Sequence, residues 1–130
     1  MSGPDECRGL LRKAENDLAM AEIGIQHGAP LDTVCFHLQQ TAEKLLKALL
    51  SYRQVPYRLT HDLSELLDLA AGPYPALGEF EDSLAGFTPY AVRMRYDEAA
   101  YPDEQETMEA LETVKKLRSV ILDLLSPQEK

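Results

Sequence analysis

Residues 32–52 read DTVCFHLQQTAEKLLKALLSY, and this stretch decides the fold. Val34, Cys35, Leu38, Ala42, Leu45, Leu46 and Leu49 recur at three- and four-residue steps, the spacing of a helix with one buried stripe. Asp32 is the expected N-cap, since a short carboxylate accepts from the orphan N–H groups of a first turn. No proline or glycine interrupts the run. A helix of this length spans about 30 Å.

The flanking sequence repeats the pattern. From about Asp5 to Gln26, Leu10, Leu11, Ala14, Leu18, Ala21 and Ile25 share one face, and Gly28 with Pro30 stops the helix. So short a connection predicts that these two long helices pack antiparallel. Downstream, Thr60 is the expected cap of a shorter helix carrying Leu63, Leu66, Leu67 and Leu69, with His61 and Asp62 in its first turn. A fourth segment begins near Ala76 with Leu77, Phe80 and Leu84, and Thr88-Pro89 opens a new turn. The last helix runs from about Asp103 to Leu125. Its apolar members are Met108, Leu111, Val114, Leu117, Ile121, Leu122 and Leu125, and its acidic start and basic later residues Lys115, Lys116 and Arg118 suit the helix dipole. No segment alternates with period two. The expected fold is all-α: an up-and-down bundle of four to five helices, formed as one domain over 1–130 with its core at about 8–125.

Composition narrows the function classes. The 130 residues carry a formal charge of −9, which opposes broad electrostatic binding to nucleic acid while leaving room for a local basic pocket. No stretch approaches the roughly 18–20 apolar residues of a membrane helix, and Met1–Glu6 lacks a secretion signal, so a cytoplasmic protein is expected. Cys7 and Cys35 have no recognisable zinc spacing and read as packed thiols rather than a redox pair. The expectation is therefore no metal site and no cofactor.

Four places offer chemistry. Gln40, Glu43 and Lys47 lie off the leucine stripe, with Lys44 flanking them; by spacing alone they read as a solvated face with a Glu43–Lys47 surface ion pair. His61 is a candidate phosphate donor, or else a histidine packed on a neighbouring helix. Asp17 sits at the edge of the first helix's apolar stripe, where a carboxylate requires a cation; Lys44 or an arginine of the fourth segment is the expected partner in a structural ion pair. Arg93-Met94-Arg95-Tyr96 is the densest positive cluster, and with Lys44, Lys47, Arg53 and Arg58 it offers either a local anion site or scattered surface charge.

These residues also carry a family likeness. Ala14-Glu15-Asn16-Asp17-Leu18, then Gln39-Gln40-Thr41-Ala42-Glu43-Lys44-Leu45-Leu46-Lys47-Ala48, then Thr60-His61-Asp62-Leu63, then Arg95-Tyr96 before an acidic last helix together resemble the HEPN domain over residues 8 to 125. The resemblance implies a helical bundle that commonly forms homodimers. It also implies frequent pairing with a separate small nucleotidyltransferase-like protein in toxin–antitoxin or nucleotide-processing modules. It marks Gln40, Lys44, Lys47, His61, Arg95 and Tyr96 as nucleotide- or phosphate-binding positions, with nucleotide or RNA as ligand. One departure bears on catalysis. RNA-cutting members carry an arginine followed four to six residues later by a histidine near the last helix, whereas the histidines here are His27, His37 and His61, all ahead of Arg93 and Arg95. A non-catalytic module is expected, with no assigned catalytic residue. The alternatives are a ribonuclease toxin with a displaced active site at His61, or a purely structural interaction subunit.

Overall fold

The computed structural model describes residues 4–91 and 101–129. Helix α1 spans Pro4–Gln26, α2 Leu31–Tyr52, α3 Leu63–Ala71, α4 Glu81–Ala85, α5 Thr88–Ala91 and α6 Glu104–Glu129, with a 3₁₀ turn at Pro75–Phe80. The all-α expectation holds, and no strand occurs among the described residues.

Helix α2 is the organising element and contacts α1, α3, α5 and α6. Of residues 45–50 all but Lys47 are buried, so the stripe read from the sequence is wider than one face. Helix α1 returns antiparallel along it and contributes Cys7, Ala14, Leu18 and Ala21 to the core. The turn between them works as its glycines suggest. Gly28 adopts φ 72°, and Ala29 N–H donates to the Gly24 carbonyl at 2.8 Å, closing the α1 C-terminus in a Schellman arrangement. A β-carbon at Gly24 would stand 3.0 Å from Val34 Cγ2 and 3.2 Å from Ala29 Cβ, so a larger residue fits only if those neighbours shift slightly.

Helix α2 ends in the same way without a glycine. Gln54 takes φ 59°, while Val55 N–H donates to Leu50 O at 2.9 Å and Gln54 N–H to Ser51 O at 3.1 Å. The motif turns the chain sharply into the 53–62 loop, which brings His61 back over α2. Helix α6 packs along α2 and reaches α1 through side chains. Arg118 pairs with Glu15 and Lys115 with Glu22 on α1, and Thr107 Oγ1 meets Cys35 Sγ of α2 at 3.5 Å.

Several local expectations are corrected. The residue before α2 is Pro30, with Asp32 inside the first turn and accepting from Thr33 N–H. Asp62, not Thr60, caps α3: its Oδ1 accepts from Ser64 N–H at 3.0 Å and Glu65 N–H at 3.4 Å. Thr60 Oγ1 instead accepts from Asp62 N–H, so His61 precedes the helix and is not in its first turn. The fourth segment starts as a 3₁₀ turn at Pro75 before α4. Met108, placed in the stripe of α6 by spacing, is 49% exposed, because the buried face of that helix runs through Thr107, Ala110, Leu111 and Val114 instead. Phe80, Phe87 and Tyr90 are buried within the one chain, while Tyr101 keeps 48% exposure.

Candidate functional site

The polar residues of α2 are not a solvated face. Glu43 is 4% exposed and Gln39 wholly buried, because the 53–62 loop folds back over them. A desolvated carboxylate is costly unless every lone pair is occupied, and here the occupants are specific. Lys47 Nζ donates to Glu43 Oε2 at 2.9 Å, and Gln39 Nε2 and His61 Nδ1 reach Oε1 at 3.2 and 2.9 Å. Gln39 Nε2 also donates to the His61 carbonyl at 3.1 Å, tying the loop to the helix twice. Gln40 Nε2 donates to Gln39 Oε1 at 2.7 Å and makes a longer 3.5 Å approach to Glu43 Oε1. Burial raises the Glu43 pKa, but the bonds from Lys47, His61 and Gln39 and the charge of Lys47 outweigh it and hold the carboxyl below its ordinary value.

A second unit of the same composition lies on the α1 side of α2. Asp17 Oδ2 accepts from Lys44 Nζ at 2.6 Å, and Asp17 Oδ1 stands 2.9 Å from His37 Nδ1. The structural ion pair expected for Asp17 is therefore present, with Lys44 as its cation. His37 is an additional partner that the sequence reading did not assign. Its ring also meets Phe36 edge-on at 5.6 Å. Each unit thus joins a lysine, a carboxylate and a histidine. Asp17 and Glu43 cancel Lys44 and Lys47 in charge, so neither lysine is an unneutralised cation awaiting phosphate.

Four of the six expected binding residues, Gln40, Lys44, Lys47 and His61, fall on this one polar face. Arg95 and Tyr96, with Arg93, lie outside the described residues. Arg53 and Arg58 do not join: Arg58 makes a two-pronged pair with Glu65 at 2.7 and 2.8 Å, and Arg53 stands over the Tyr74 ring. Lys47 lies 5.8 Å from the centroid of the Tyr57 ring, and Tyr57 with Val55, Pro56 and Leu59 borders an adjoining depression of about 580 Å³. His61 combines a 64% exposed side chain with a buried anchor, since Glu43's side chain is only 5% exposed. Gln39 and the depth of Glu43 were the parts missed. The available sign was an unbroken polar run, Gln39-Gln40-Thr41, ahead of Glu43 in a helix otherwise rich in apolar residues.

Comparison with known proteins identifies the family of this fold. The HEPN domain family model matches residues 7–124. The chain belongs to the HEPN domain family. Among solved structures, the crystal structure of an archaeal HEPN homologue is similar, with a TM-score of 0.73 and 22% identity, covering 96% of this chain and 99% of that one. At that identity the likeness establishes the shared HEPN fold alone. No curated protein matches the chain significantly. Among the described residues no helix is long and apolar enough to cross a membrane, and no cluster of His, Cys, Asp or Glu is arranged to hold a metal ion. Cys7 and Cys35 are both buried, and burial pushes the Cys35 thiol up to about 11 despite its bond to Thr107, leaving it protonated and unreactive at neutral pH.

Proposed function

We propose that this HEPN chain is a non-catalytic binding module that holds a nucleotide and pairs with a separate small nucleotidyltransferase-like protein. The observation that carries this reading is the convergence of Gln40, Lys44, Lys47 and His61 on one partly exposed face of α2, pre-ordered by two desolvated carboxylates. A pre-ordered polar face loses little side-chain entropy when a ligand docks. Because Lys44 and Lys47 are already neutralised, the phosphate charge falls to Arg95, with Tyr96 stacking on the base. The two lysines and Gln40 then orient the ligand rather than supply net charge. Homodimerisation belongs to the same proposal. Exposed Met20 and Ile23 on α1 and Met108 on α6 are apolar surface available to a second protein.

The test is a thermal-shift series with ATP, GTP, their di- and monophosphates and a short single-stranded RNA. A ligand that prefers the native state raises the melting temperature with concentration. The proposal expects a rise with a nucleotide that is lost in Arg95→Ala. An unchanged rise in that variant removes Arg95 from the site, and no rise with any ligand leaves the protein-pairing role alone.

One observation favours a second reading, an RNA-cutting toxin with a displaced site. Glu43 behind His61 forms a carboxylate–imidazole pair of the kind that serves general-base chemistry. RNA cleavage abolished by His61→Ala would establish it, and cleavage that persists in that variant excludes His61 as its base.

A further inference from the structure

The geometry points to a ligand class for His61: it recognises a hydrogen-bond donor, such as a sugar hydroxyl, through Nε2, and not a phosphate oxygen. This rests on the nucleotide-binding reading above. The protons around Glu43 decide which nitrogen of His61 is bare. An ionised carboxylate only accepts hydrogen bonds. Glu43 receives Lys47 Nζ on Oε2 at 2.9 Å and Gln39 Nε2 on Oε1 at 3.2 Å, so it sits among donors that favour its charged form. His61 Nδ1, 2.9 Å from the same Oε1, must therefore carry a proton. In a neutral imidazole the other nitrogen is then an acceptor.

The surroundings leave that nitrogen open to a ligand. The His61 ring is held from behind by a carboxylate that is 5% exposed, while its own side chain is 64% exposed. The charged neighbours on its loop are engaged elsewhere: Arg58 with Glu65, and Asp62 with the first amides of α3. The Gln39 bond to the His61 carbonyl fixes the backbone, so ring and main chain are both pinned. With the ring in its singly protonated form, an oriented acceptor with no proton of its own repels a phosphate oxygen and attracts O–H or N–H. In a bound nucleotide the groups that meet this requirement are the ribose hydroxyls and the exocyclic amine of the base.

The experiment is long-range proton–nitrogen correlation NMR on the uniformly ¹⁵N-labelled full chain at pH 8. It is recorded alone, with adenosine, and with inorganic phosphate. The proposal expects Nδ1 protonated and Nε2 bare, and expects adenosine at millimolar concentration to move the Nε2 resonance while phosphate does not. His61→Ala should weaken adenosine binding about tenfold, the loss of one good hydrogen bond; it should also lower the melting temperature, because Glu43 loses a donor, so the affinities are compared well below both transitions. A protonated Nε2 in the free protein overturns the inference, as does an Nε2 that responds to phosphate and not to adenosine, or to neither. The thermal-shift response to nucleotides judges the proposed function separately. Nucleotide binding that leaves Nε2 unmoved would uphold that function and reject this ligand assignment.

Discussion

Replacing Glu43 by alanine should destabilise the protein by about 3 kcal/mol, although Glu43 looks like one half of a helix-surface ion pair. Removing one member of a buried pair typically costs about 3–5 kcal/mol, because the remaining charge stays desolvated without its partner. Here the stranded group is Lys47, whose side chain is 13% exposed, and Gln39 and His61 lose their shared acceptor as well. Two effects place the expectation at the lower end. The lysine stem can carry its ammonium towards water, and alanine is the better helix former by a few tenths of a kcal/mol. For a chain of 130 residues, about 3 kcal/mol corresponds to a fall of roughly 10 °C in melting temperature. The assay is urea unfolding at fixed protein concentration, comparing midpoints at constant slope. Lys47→Ala should cost less in the Glu43→Ala background than in the parent, with a coupling above about 1 kcal/mol. A loss below about 1 kcal/mol for Glu43→Ala, with no coupling, is the behaviour of a solvated pair and would refute the reasoning.

Three further outcomes follow from the same structure. The depressed Glu43 pKa contributes stability that is present above its unfolded value near 4.5 and lost as pH falls through the folded value; Glu43→Gln should therefore flatten the acid limb of a stability–pH curve, measured by urea midpoints from pH 7 to 3. Asp62→Ala should cost about 1 kcal/mol by removing the cap of α3, whereas Thr60→Ala should cost less than half of that, and the same midpoints compare them. A disulfide-exchange reagent such as DTNB should label Cys35 only at the rate of global or local opening, and addition of denaturant should accelerate labelling in step with unfolding.

Much of the fold was legible because α1, α2 and α6 are long enough for the 3.6-residue period to declare itself. Ala14, Leu18, Ala21, Val34, Leu38, Leu45, Leu46 and Leu49 are all buried where the spacing put them. The short elements were harder. Asp62 and Thr60 are both good caps by residue type, and only the path of the loop decides that Asp62 takes the role while Thr60 supports it. The 3₁₀ turn at Pro75 has no periodicity to read. At the site, the Asp17–Lys44 pair was legible because an acid on the edge of an apolar stripe demands a cation. Glu43 was not, since an i, i+4 Glu–Lys pair looks the same in sequence whether solvent or a returning loop covers it. What buries it is the turn at Gln54, an αL residue that is not glycine and so gives no sign in the sequence.

The most direct test of the central claim, that the polar face of α2 with His61 is a ligand site, is chemical-shift mapping of the labelled protein during titration with ATP. Saturable shifts concentrated at Gln40, Lys44, Lys47 and His61, together with Arg95 and Tyr96, are expected. Shifts confined to α6 or to the exposed face of α1, or no shifts at millimolar ATP, would contradict it.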